Sequence, residues 1–126
     1  MVQRVENNLN EDYIPVITRK EASKVNTKEI LYIEKELRRL NIYTGSRVYT
    51  FYGKLDDVTK YLDDSFCKCH GSCIVNLNKI TRMEDGIFYL ENGQTLRVGQ
   101  NNYQYTKRYY LKFLKRRFLF FFLIFR

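Results

Sequence analysis

The sequence predicts a mainly β protein of antiparallel strands, with one short internal helix and one C-terminal helix. Its 126 residues include 11 Tyr, 9 Phe and a single Pro, and aromatic residues are enriched in strands. Two runs of alternating apolar and polar residues flank a Gly-Ser pair at 45–46, which is typical of a β-hairpin. Asp-Gly at 85–86 and Asn-Gly at 92–93 indicate two further hairpin turns.

The first half of the chain contains the strands of the predicted hairpin and the first helix. We expect, in order, a β-rich segment at 13–19, a polar loop or strand edge at 24–27, one helical turn at 27–30, and strands at 30–36, 39–44 and 47–52. A helix is predicted over 54–64, because Leu55, Val58 and Leu62 recur at helical spacing.

The second half contains shorter strands and the second helix. A strand with a break at Gly71 is predicted over 66–75, followed by strands at 80–84, 87–91 and 94–98 and a helix at 101–115. On this helix Tyr103, Tyr110 and Leu114 share one stripe, opposite a basic face of Arg108, Lys112, Lys115 and Arg116. We expect one domain over 13–115, between a flexible polar lead at 1–12 and a basic and apolar tail at 116–126.

The basic residues are unevenly distributed along the chain. Lys and Arg number 22 against 14 Asp and Glu, which gives a formal net charge of +8. Residues 1–64 carry 11 basic and 11 acidic side chains, so the whole surplus lies in residues 65–126. This asymmetry indicates a polyanionic partner, either nucleic acid or an anionic membrane surface. A basic face that only aids solubility is the alternative.

The N-terminal residues and the cysteines indicate the compartment. Residues 1–13 contain no apolar core, so no signal peptide is predicted. Three cysteines within seven residues, an odd number, favour free thiols in a reducing cytoplasm. We also expect no receiver domain, because the 12–16 residues before the fold are too few to form one. Any regulation would then come from a partner protein or from oligomerisation.

Cys67, Cys69, His70 and Cys73 lie close together and could ligate a metal or form a catalytic pair. Structural zinc sites take their ligands from two separated segments, however, and the sequence has no second Cys or His cluster. A catalytic Cys–His pair needs a third, orienting group. We therefore expect no metal, no cofactor and no enzymatic activity, and interpret the cysteines as small buried apolar side chains.

If strand alternation continues through residues 66–75, the three cysteines lie on one face of the strand. The opposite face then carries Phe66, Lys68, His70 and Ser72. A cation, a ring donor and a hydroxyl suit contacts with DNA phosphates. Three solvated polar residues at a sheet edge are the alternative interpretation.

From about residue 17 to residue 115 the sequence resembles the LytTR-type DNA-binding domains of bacterial transcription regulators. The most specific match is FCKCHGSCIVN at 66–76, which fits the pattern F-x-[RK]-x-H-x-S-x-x-V-N. Further matches are VNTKEILYIE at 25–34, YTFYGKL at 49–55, NKI at 78–80, LENG at 90–93 and VGQ at 98–100. The resemblance implies a small, elongated antiparallel β-sandwich. Such domains insert loops, rather than a recognition helix, into successive major grooves of a direct-repeat site.

The resemblance also implies three elements that contact bases. The first is the loop after the strand at 30–36, where Arg38 and Arg39 occupy the family's groove-reaching positions. The second is the residue between His70 and Ser72, which is often Arg or Asn in the family. Here it is Gly71, which has no side chain to reach a base.

The third element is the Arg that typically follows Val-Ser near the end of the domain. This position falls on Gln100, which is followed by Asn101 and Asn102. Gln and Asn favour adenine edges whereas Arg favours guanine, so we expect a base preference that differs from the family pattern.

The C-terminal tail lies beyond this resemblance. Residues 118–125 are eight consecutive apolar residues that follow Lys115, Arg116 and Arg117. As a helix they would extend about 12 Å, against about 30 Å for the core of a bilayer, so they cannot cross it. The tail could pack against the domain or a second chain, lie on a membrane surface, pair as an extra strand, or have no function.

We therefore predict a domain that binds double-stranded DNA in a sequence-specific manner and regulates transcription from direct-repeat promoter sites. A homodimer on tandem half-sites and a regulatory protein partner are further expectations. The alternative is a module that binds nucleic acid or an anionic membrane surface without sequence specificity. The basic second half and the apolar tail would suffice for that function.

Overall fold

A computed structural model of the chain describes residues 12–125, with side chains as far as residue 116. It confirms a mainly β fold with antiparallel sheets and a C-terminal helix. The chain divides into two compact units, Met1–Asp64 and Ser65–Arg126. The flexible lead predicted at 1–12 lies, apart from Asp12, outside the described residues.

The first unit contains five strands and one turn of α-helix in its described part. Its elements are β1 (Tyr13–Ile17), β2 (Ala22–Asn26), a 3₁₀ turn (Thr27–Glu29), β3 (Ile30–Glu36), β4 (Arg39–Thr44), β5 (Val48–Tyr52) and α1 (Asp56–Thr59). β1 pairs with β2, and β4 lies between β3 and β5. The polar segment expected as a loop or strand edge belongs to β2 as far as Asn26. There, Val25 is buried and β1 supplies the hydrogen-bonding partner.

The core of the first unit centres on β3 and β4. Ile30, Ile33 and Ile42 are completely buried, and the rings of Tyr32 and Tyr43 stack with their centroids 4.3 Å apart. Four successive residues of β3, from Ile30 to Ile33, are buried, so both faces of this part of the strand are buried.

The first helix is shorter than predicted. Instead of extending over 54–64, α1 ends at Thr59, and Tyr61 and Leu62 donate to carbonyls three residues earlier, as in a 3₁₀ turn. Leu55 and Val58 are buried, whereas Leu62 is only half-buried. Because a short helix depends on tertiary packing, the weak burial after Val58 explains why the α-helix stops there.

The second unit contains two groups of antiparallel strands and the long helix. Its elements are β6 (Phe66–His70), β7 (Cys73–Asn76), a 3₁₀ turn (Leu77–Lys79), β8 (Ile80–Glu84), β9 (Ile87–Leu90), β10 (Thr95–Arg97), a 3₁₀ turn (Gln100–Asn102) and α2 (Tyr103–Phe125). β6 pairs with β7, and β9 lies between β8 and β10. Asp85 and Gly86 both have positive φ angles, 53° and 75°, as a two-residue type I′ hairpin turn requires.

The C-terminal helix is longer than predicted. Instead of ending at residue 115, its backbone remains helical as far as Phe125. Among the helix side chains up to residue 116, Thr106 and Tyr110 are buried, and the Tyr110 ring meets Phe88 edge-to-face at 5.4 Å. Leu114, which the sequence places on one stripe with Tyr103 and Tyr110, is 45% exposed and so does not share the burial of Tyr110. Within the described part of the chain, no helix has the length and apolar character needed to span a bilayer.

Candidate nucleic-acid interface

The segment at 66–75 forms a hairpin instead of one interrupted strand. β6 ends at His70, the chain reverses at Gly71 and Ser72, and β7 returns antiparallel to β6. Lys68 is exposed on β6, as strand alternation predicts. Ser72, however, lies in the turn, so the prediction that it shares a strand face with Lys68 and His70 is wrong. The turn nevertheless keeps Ser72 beside His70.

The imidazole of His70 is held by the turn that follows it. The backbone N–H of Ser72 donates to His70 Nδ1 at 3.2 Å, and the Ser72 hydroxyl lies 3.2 Å from the same nitrogen. A backbone N–H can only donate, so Nδ1 is the acceptor in the neutral ring and Nε2 carries the hydrogen. His70 therefore offers an N–H donor of the kind that phosphate oxygens and purine acceptors bind.

A second loop lies against the end of β6. The N–H of Gly99 donates to the carbonyl oxygen of Cys69 at 3.1 Å, and the N–H of Asn102 donates to the carbonyl of Gly99 at 3.0 Å. These bonds place the turn that contains Gln100 next to His70. The second unit thus brings together two groups of predicted site residues: Lys68, His70, Gly71 and Ser72 on the hairpin, and Gln100, Asn101 and Asn102 on this loop.

Arg38 and Arg39 lie in the first unit, where β3 turns into β4. Both side chains are exposed, and the carbonyl of Arg38 accepts a hydrogen bond from Gly53 N–H at 3.1 Å. The preceding residue, Leu37, is 80% exposed and has a φ of 59°, a left-handed conformation that is uncommon for a Leu. Sequence reasoning missed Leu37, whose only signal was a single apolar residue within a charged turn.

Comparison with known protein families identifies the family of this chain. The family model of the LytTr DNA-binding domain matches residues 20–111. The chain belongs to the LytTR family. Membership assigns to it the binding of DNA and the regulation of transcription, and LytTR domains are not a family of enzymes.

The fold of the LytTR domain is also found among solved structures. The chain is similar to the LytTr DNA-binding domain of a methyl-accepting/DNA response regulator from Bacillus cereus, with a TM-score of 0.68 and 23% sequence identity. The similarity covers 81% of this chain and 98% of that one. The search among curated proteins found no match.

The first part of α2 adds positive charge to the second unit of the LytTR domain. Its basic side chains are exposed: Lys107, Arg108, Lys112, Lys115 and Arg116. No Asp or Glu follows Glu91 in the sequence, so nothing acidic on this helix offsets them. Such a surface attracts phosphates without reading sequence.

The three cysteines of the LytTR domain are buried, as predicted, and none of them forms a disulfide. Burial raises the pKa of Cys67 from 9.0 to about 11, and the neighbouring Cys69 adds to this effect. Among residues 12–125, no three His, Cys, Asp or Glu side chains come together in a way that could hold a metal ion. The absence of a metal in the functional protein stays a prediction, which elemental analysis of purified protein would check.

We expect Cys67 to resist iodoacetamide in the folded protein near pH 8 and to react in denaturant, because thiolate is scarce when the pKa is raised. The unfolded chain releases this proton at a lower pH than the folded protein does. The protonated, buried Cys67 thiol therefore contributes fully to the free energy of unfolding below about pH 9. This contribution is lost as the pH rises toward 11. Urea unfolding should show a steeper alkaline loss for wild type than for Cys67→Ala; equal losses would contradict the assignment.

Proposed function

We propose that this LytTR domain reads a specific DNA sequence through its loops and regulates transcription from direct-repeat promoter sites in the cytoplasm. The proposal rests on the hydrogen bond from Gly99 N–H to the Cys69 carbonyl, which holds the turn that contains Gln100 against the end of β6. His70 presents a donor on one loop, and Gln100 presents an exposed amide on the other.

The side chains available suggest a base preference. Gln100 and Asn101 are exposed amides, which pair well with the N6 and N7 edge of adenine. Position 71 faces open space, because a Cβ there would meet no atom within 4 Å, but Gly71 has no side chain to contact a base. We therefore expect the second unit to favour A·T pairs.

The β3–β4 turn offers a different combination. Arg38 and Arg39 supply guanidinium groups, which bind the O6 and N7 atoms of guanine. The exposed Leu37 supplies an apolar surface that suits the C5-methyl group of thymine. We propose that this turn enters a major groove and that at least one of the two arginines reaches a base edge.

Selection of bound sequences from a random DNA pool tests the proposal. We expect an enriched site with two repeats of one motif, and at least a thousandfold preference over random DNA, in the usual range for specific binders. A homodimer on tandem half-sites would appear as two proteins bound per selected fragment. Enrichment of no motif would contradict sequence-specific binding.

The second candidate function is sequence-independent binding to nucleic acid or to an anionic membrane surface. The basic start of α2 and its exposed Leu111 and Leu114 favour this alternative. Equal affinity for the selected site and for random DNA, or tight binding to vesicles with anionic lipid, would support it. Regulation by a partner protein is part of our proposal and would be detected by its effect on binding to the selected site.

Replacing Lys68 with Ala should weaken binding to all DNA sequences about equally. We place the exposed Lys68 against a phosphate, and every DNA sequence carries the same phosphates. The slope of log affinity against log salt should fall by roughly one unit. Lys20→Ala, a change at an exposed lysine outside the proposed interface, is the matched control. A loss confined to the selected site would show instead that Lys68 contacts a base.

A further inference from the structure

Gly99 approaches His70 more closely than any other residue type would allow. A Cβ atom at position 99 would lie 2.8 Å from the Cβ of His70 and 3.6 Å from its Cα. Carbon atoms in favourable contact are about 3.5–4.0 Å apart. Any side chain at position 99 would therefore push the end of β6 away by roughly 1 Å.

The backbone conformation does not explain this glycine. Gly99 has a φ of −65° and a ψ of 143°, an extended conformation that every residue adopts. The close approach is accordingly the structural reason for a glycine. The sequence analysis included Gly99 in the VGQ match at 98–100, where the family typically has Ser, and assigned it no role. The close approach to His70 is therefore a feature of this chain and not of the family pattern.

The hydrogen bonds of Gly99 connect both sides of the candidate interface. Its N–H holds the carbonyl of Cys69 on β6, and its carbonyl holds the N–H of Asn102 in the 3₁₀ turn. His70 thus has Gly99 against its Cβ and the Ser72 N–H on its ring. These contacts fix where Nε2 lies relative to Gln100.

We propose that Gly99 is a positioning residue for DNA recognition, which acts by holding the His70 imidazole at a set place beside the Gln100 turn. This inference rests on the proposed function of the same surface. Hydrogen bonds weaken steeply with changes in distance and angle, so a displacement of roughly 1 Å would misplace the Nε2 donor. Gly99 itself needs no contact with DNA.

Gly99→Ala should weaken binding to the selected site roughly three- to tenfold, the effect of losing about one hydrogen bond. It should also shift the ring resonances of His70 in NMR spectra of the unbound protein. Gly45→Ala is the matched control, because a Cβ at position 45 meets nothing within 4 Å and the β4–β5 turn lies outside the proposed interface. We expect this control to change the affinity less than twofold.

Two changes at His70 separate the positioning effect from a general loss of stability. His70→Ala keeps the Cβ of residue 70, so Gly99→Ala should lower the melting temperature in this background as it does in the wild type. Because the imidazole is absent, Gly99→Ala should not change DNA affinity there. In His70→Gly the obstructing atom is gone, so adding Gly99→Ala should change neither. If Gly99→Ala alone fails to fold, recovery of folding in the His70→Gly background supports the close contact.

The outcomes distinguish this inference from the proposed function. If His70→Ala alone leaves DNA affinity unchanged, the proposed role of His70 fails, and positioning by Gly99 fails with it. If His70→Ala weakens binding but Gly99→Ala does not, only the positioning role is overturned. An equal loss from Gly99→Ala in the wild-type and His70→Ala backgrounds would overturn it too, because the effect would not pass through the imidazole.

Discussion

Alanine substitution of the base-reading arginine, Arg38 or Arg39, is expected to weaken binding to the selected DNA site by about 1–3 kcal/mol and binding to random DNA much less. Both side chains are exposed where β3 turns into β4. A guanidinium that binds two acceptors of guanine loses both contacts on truncation, whereas a phosphate contact is lost on every sequence alike.

Fluorescence titrations of each single variant on the selected site and on random DNA measure this difference. Arg19→Ala provides a control for charge, because Arg19 is also exposed and lies between β1 and β2, outside the proposed interface. Equal losses on both DNAs would reduce the two arginines to backbone contacts. If the loss is larger on the selected site, base substitutions in that site identify the contacted base pair as the one whose change abolishes the effect of the arginine substitution.

Truncation after Arg117 is expected to give a folded, more soluble and monomeric protein that still binds DNA. The truncated helix keeps Thr106 and Tyr110, which are buried before the tail begins, so we expect the fold to persist without residues 118–125. Eight consecutive apolar residues favour association when exposed, and a small domain has little spare apolar surface to cover them. We propose that a second chain covers them.

Sedimentation of the full-length and truncated forms, followed by titration onto the selected site, measures both properties. A full-length variant with Phe120→Ser and Leu123→Ser keeps the length and charge of the chain and should behave like the truncated form. Unfolding of the truncated protein would show that the tail belongs to the core. A folded truncation that no longer binds DNA would show that association through the tail is required for binding.

Local sequence patterns predicted the strands and turns that are determined by neighbouring residues in the chain. β3 and β4 have the predicted bounds, and β5 begins one residue later than predicted. The alternating side chains on either side of the Gly-Ser pair at 45–46 specify the hairpin of β4 and β5. The Asp-Gly pair at 85–86 produced its turn because these residue types tolerate positive φ angles. The motif at 66–76 and its companions led to the LytTR family, which the family model confirms over residues 20–111.

The sequence by itself determined the fold class, the family and the basic character of the second half, because composition, turn residues and motifs are properties of the chain alone. Tertiary packing decided where α1 ends and why Leu114 is exposed, since both depend on which side chains find a neighbour. It also decided that Ser72 holds the His70 ring and that Gly99 lies against His70. Contacts between residues 29 positions apart follow from how strands and loops assemble, which no local pattern specifies.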